Sequence, residues 1–157
     1  MNDNLKILSL KLDHLDRMQR DIDYSVGKMG IPLAKIKSGT VDSLTESERE
    51  TLSAFNSRFS SYQEQIAKKF VCIAVEEELS SERSGVILAL MEKLGIIDDV
   101  SKWRVVRELR NAANHIYQDD ADLLFQALNN MIVNVPYLHN IYNQLRIFVQ
   151  TAYFHPS

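Results

Sequence analysis

Apolar residues spaced three and four apart run through most of the chain, and this spacing constrains the fold more than any other feature. Leu5, Leu8, Leu12, Leu15, Met18, Ile22 and Val26 make one face of a long helix. Leu52, Phe55, Phe59, Tyr62, Ile66, Phe70 and Ile73 make a second, which can run to about Leu79 with an interruption near Ser60–Ser61. Neither strand-like alternation nor an internal repeat competes with this reading. The three prolines and five glycines fall mostly at the seams. Gly27, Gly30 and Pro32 end the first helix, and residues 31–44 read as a connector with at most a short helical turn.

Thr45 and Glu48 form a capping box for the second helix. Ser80 or Ser81 caps a third helix that ends at Gly95. Asp98, Asp99 and Ser101 compete to cap a fourth over Ser101–Tyr117, and Asp119 or Asp120 caps a fifth. Pro136 suits the first turn of a last helix reaching about Tyr153. The pattern predicts an all-α protein, an antiparallel up-and-down bundle of four to five main helices, with residues 1–157 as a single domain.

Composition narrows the function. A net charge of −3 argues against a protein that coats nucleic acid along its whole surface. The single cysteine, Cys72, sits in an apolar run and reads as packing; it leaves no partner for an internal disulfide and fits a reducing compartment. Charges through the first residues exclude a secretory leader, and no run reaches the roughly 20 apolar residues of a membrane span. A cytoplasmic location without membrane contact is expected. His14, His139 and His155 are isolated and not spaced as metal ligands, so no metal or other cofactor is expected. The run Glu76–Glu78 reads as the solvated end of the second helix.

Chemistry concentrates in the fourth helix. At about 100° per residue, Val105, Leu109, Ala112 and Ile116 fall in one stripe, which predicts the core face. Trp103, Arg107, Arg110, Asn111, Asn114 and Tyr117 fall opposite, with His115 toward one edge. That face is locally basic in an acidic chain, and its two aromatics indicate that it is covered, by another helix or by a partner subunit. Arg110 and His115 diverge by about 140° on a straight helix, so a site using both is easier to build from two copies of the helix about a two-fold axis. A histidine near neutral pH moves protons, and an arginine holds phosphate. Asn111, one turn before His115, can orient the imidazole or bind the anion. This set suits cleavage of RNA through its own 2′-hydroxyl.

At these residues the chain resembles the HEPN superfamily of small helical bundles. The family motif Arg-x4–6-His is matched by Arg110-Asn111-Ala112-Ala113-Asn114-His115. Its extension through Ile116 to Tyr117 is similar to the Arg-x4-His-x-Tyr form of HepT toxins, which are encoded beside a minimal nucleotidyltransferase (MNT) antitoxin. Trp103 and the Gly95-Ile96-Ile97 loop share the likeness, which spans about Gly95–Tyr117. Ile116 departs from it, standing where many relatives carry a polar residue. The resemblance implies a homodimeric, metal-independent endoribonuclease toxin with Arg110 and His115 catalytic at the dimer interface. Arg107, Asn111 and Asn114 would support RNA-phosphate binding, and Tyr117 would be the tyrosine that the nucleotidyltransferase silences by AMPylation. The alternatives are a non-catalytic partner subunit of a nucleotidyltransferase and a plain helical adaptor.

Overall fold

In the computed structural model, which describes residues 2–113 and 120–154, the backbone forms seven α-helices, a 3-10 turn and a terminal π-turn. The protein is an all-α helical bundle, and no strand occurs among the described residues. Helix α1 spans Asp3–Gly27, started by the Asn2 side chain, which accepts from the Leu5 amide at 2.8 Å. Its expected apolar face is confirmed: Leu8, Leu12, Leu15 and Ile22 are buried, with Leu5, Met18 and Val26 packed at the edge.

Helix α3, Glu46–Glu76, is the spine of the bundle. Thr45 and Glu48 close the expected capping box: the Glu48 amide donates to Thr45 Oγ1 at 3.1 Å, and the Thr45 amide donates to Glu48 Oε1 at 2.9 Å. The helix runs 31 residues without the expected interruption near Ser60–Ser61. Packing overrides the weak local propensity of the two serines, because Phe59, Tyr62 and Ile66 on either side of them are fully buried. α1 lies antiparallel to α3. Asn4 Nδ2 donates to the Cys72 carbonyl at 3.1 Å near one end, and Arg58 Nη1 donates to Ser25 Oγ at 2.7 Å near the other.

The connector between these helices is more ordered than its sequence indicated. Residues Gly30–Lys37 form α2, followed by a 3-10 turn at Val41–Ser43. Its signal was hidden by Gly30 and Pro32, but a proline near the start of a helix costs no internal hydrogen bond. Lys35 then ties the connector to α3 through Glu48 Oε1 at 2.7 Å.

Helix α4 covers Ser84–Lys93 and begins later than Ser80 or Ser81 would have set it; Ser81 Oγ instead accepts from the Arg83 amide in the preceding loop. Gly95 follows α4 with φ +78°, the left-handed conformation a helix stop requires, and the Ile96 amide returns to the Met91 carbonyl. Helix α5 spans Val100–Ala113. Of its three candidate caps, Asp99 is used, accepting from the Ser101 amide at 2.8 Å. Asp120 caps α6, Ala121–Val133, and α7 runs Val135–Val149 with Pro136 in its first turn.

Polar ties dock α7 on the spine pair. The Tyr62 hydroxyl and His139 Nδ1 are 2.9 Å apart, and His139 Nε2 lies 2.7 Å from Asp23 Oδ1. The Tyr142 hydroxyl meets the Leu12 carbonyl at 2.8 Å and also the Asp16 carboxylate. His139, to which the sequence assigned no role, thus links α1, α3 and α7. The glutamates ending α3 are partly engaged rather than simply solvated. Glu76 Oε1 accepts from Asn2 and Asn4, and Glu77 Oε1 accepts from Tyr153. No helix among the described residues is long and apolar enough to cross a membrane.

Candidate functional site

The orientation of α5 differs from its sequence reading, and the difference relocates the site. Trp103 and Val106 are each 1% exposed, whereas Val105, expected in the core, is 65% exposed. Leu109 is half-buried; Ile116 and the side chain of Ala112 lie outside the described residues. The helix is therefore turned by about a third of a revolution from the Val105–Leu109–Ala112–Ile116 face. The physical reason is size. An indole buries roughly 150–250 Å², far more than valine, so the position of Trp103 decides which way a sparsely apolar helix faces.

Trp103 packs on Phe70 of α3, the ring centroids 5.0 Å apart and tilted by 58°. The aromatic on the basic face is therefore covered within the chain, and it no longer argues for a partner subunit. Arg107 and Arg110 follow Trp103 at one and two turns, so the same rotation brings them round beside α3 and α4. A cleft of about 310 Å³ opens there, near the lower end of the ~300–1,000 Å³ usual for ligand pockets. Arg107, Arg110 and Trp103 line it from α5, Gln63 and Lys68 from α3, and Ser84 from α4.

The electrostatics of this cleft are basic but not uniformly so. Arg107, Arg110 and Lys68 line the cleft together with Glu64 and Glu82. Lys68 Nζ lies 3.7 Å from Glu64 Oε1 one turn away, and both side chains are more than half exposed, so this pair is weakly held and free to exchange partners. Arg110 is half-buried and Arg107 exposed. Guanidinium groups in such a setting present paired donors to a phosphate.

Other expected site residues fall differently. Asn111 is exposed, and its Nδ2 donates to Glu108 Oε2 at 2.8 Å, so in the free chain its amide serves its own helix. Asn114, His115 and Tyr117 lie outside the described residues; of the motif, Arg110 is placed on the cleft. Lys102 turns from the basic face to the Tyr137 ring, its Nζ 4.6 Å from the centroid, and Arg104 lies against Gly85 of α4.

Sequence reasoning missed Gln63. It is 1% exposed, and neither amide atom has a hydrogen-bond partner among the described residues. Its signal was present in the pattern: Gln63 sits two turns before Phe70, within about 20° of it on the helix, a polar residue inside an apolar stripe. Lys69, also buried, has its ammonium pKa pushed down by desolvation, but it does not line the cleft.

Compared with family models, with curated proteins and with solved structures, the chain matches none.

Proposed function

We propose that the chain is a metal-independent endoribonuclease toxin of the HepT type, working as a homodimer and silenced by a nucleotidyltransferase antitoxin. The observation that carries this reading is the turning of Arg107 and Arg110 into one cleft, immediately before Asn114-His115-Ile116-Tyr117. An all-α bundle whose sequence carries an Arg-x4-His-x-Tyr segment beginning at Arg110 in α5 supports it further.

Arg110 and Arg107 hold the non-bridging oxygens of one RNA phosphate and stabilise the charge that develops there. His115 takes the proton of the adjacent 2′-hydroxyl. The 2′-oxygen then bonds to phosphorus, the bond to the 5′-oxygen breaks, and the leaving oxygen takes a proton from water. The products end in a 2′,3′-cyclic phosphate and a 5′-hydroxyl. Asn114 supports the phosphate, and Asn111 does so once it exchanges Glu108 for the anion. On a straight helix Arg110 and His115 would diverge by about 140°, which favours pairing each with the other from a second copy of the chain. An AMP on Tyr117 adds negative charge beside these groups and repels the substrate.

The test is growth of cells expressing the chain alone and together with the nucleotidyltransferase encoded beside it, read with intact protein mass. The reading expects arrest by the lone chain, relief by the partner, and a mass gain of whole AMP units that Tyr117→Phe abolishes. A harmless, unmodified chain that still binds the nucleotidyltransferase would replace this reading with that of a non-catalytic partner subunit.

A further inference from the structure

Among the described residues, Gln63 is the polar side chain enclosed at the cleft without a partner. Both Oε1 and Nε2 are buried and unpaired. Among the described residues, the other buried side-chain atoms without partners belong to Glu48, Asn56 and Tyr137, and none of these lines the cleft. A buried carboxamide with both its donor and its acceptor idle is destabilising, and an apolar residue of the same shape would serve packing better. Gln63 also stands in the wall that Arg107, Arg110 and Lys68 make basic.

We propose that Gln63 reads the nucleobase next to the phosphate held by Arg107 and Arg110, which makes the substrate class base-selective single-stranded RNA. This rests on the ribonuclease reading above. A carboxamide offers one donor and one acceptor side by side, the complement of a base edge that carries an acceptor beside a donor. Bases of single-stranded RNA expose such edges once unstacked. The arginines fix the phosphate, so the reach from phosphate to Gln63 is set by the protein. Purines and pyrimidines differ in how far their edges stand from their own phosphate, and both classes cannot meet one amide equally well. Phe70 and Trp103, packed on each other, line the cleft beside Gln63 and supply its apolar wall.

The experiment measures binding of 2′-O-methyl hexamers of A, C and U, which lack the attacking hydroxyl, to the wild-type chain and to Gln63→Met. Wild type is expected to separate the A hexamer from the pyrimidine hexamers by about tenfold, and Gln63→Met to bring all three within about twofold. Thermal melting of the same variant without RNA is expected at or above the wild-type midpoint, because the substitution removes an unpaired buried amide while keeping its shape. Hexamers that bind wild type without preference, or a preference that survives Gln63→Met, would overturn the role of Gln63 and leave the ribonuclease reading standing. A clear drop in the melting midpoint would likewise assign Gln63 to the fold instead of the site. Absence of binding by any hexamer would sink the ribonuclease reading and this inference with it.

Discussion

The indole of Trp103 stands 5.0 Å from the Phe70 ring, and this contact sets which side of α5 faces the bundle and which side carries its arginines to the cleft. Trp103→Ala removes the largest fully buried side chain of the molecule. Its expected cost is about 3–5 kcal/mol, which for a chain of this length lowers the melting midpoint by roughly 10 °C. Val105→Ser, on the opposite side of the helix, is expected to change stability by no more than about 0.5 kcal/mol. Chemical denaturation of both variants checks the orientation of α5. A costly Val105→Ser beside a mild Trp103→Ala would restore the face expected from periodicity.

Glu78, two residues past α3, has φ +58°, a conformation that strains any residue bearing a Cβ. The Leu79 amide returns to the Ala74 carbonyl across it at 3.0 Å, as in a helix stop that glycine ordinarily provides. Glu78→Gly relieves the strain but adds freedom to the unfolded chain, so the net gain expected is about 0.5–1 kcal/mol. Equilibrium unfolding in urea measures it, and a loss of stability would contradict the strain argument.

Acid sensitivity follows from Glu48. The Lys35 ammonium at 2.7 Å, and then the Thr45 backbone amide, hold its carboxyl below the ordinary value of 4.5. The unfolded chain therefore takes up this proton first as pH falls. The stabilisation is fully present above pH 4.5 and is lost as pH drops from there through the folded value. Glu48→Gln keeps a side chain able to close the capping box but cannot titrate. Its melting midpoint is expected to fall less steeply than that of wild type between neutral pH and pH 3; parallel curves would contradict the assignment.

The spine of the fold was legible because large side chains repeated with helical period over many turns: Leu8 to Ile22 in α1, and Leu52 to Ile73 in α3. Thr45, Gly95 and Asp120 marked helix ends through local chemistry that tertiary packing does not override. α2 was not legible, because eight residues carry little periodicity and Pro32 signals a breaker as readily as a first turn. The facing of α5 was not legible because its few apolar residues allow two stripes, and the buried one, Trp103 with Val106, is decided by a contact with Phe70 visible only in three dimensions. The arginines were identified by type and spacing, while their neighbour Gln63 was not. A polar residue within an aromatic stripe gains meaning only when the cavity beside it is known.

Cleavage of RNA by Arg110 and His115, as proposed above, is read in vitro from the purified protein. Purified chain with unmodified Tyr117 is incubated with total RNA in the presence of a metal chelator, and the new ends are analysed. Cleavage leaving 2′,3′-cyclic phosphates is expected, slowed about 10²–10⁴-fold in His115→Ala and comparably in Arg110→Ala, with melting midpoints near that of wild type. RNA left intact by the unmodified chain, or cut equally fast by both alanine variants, would contradict the claim.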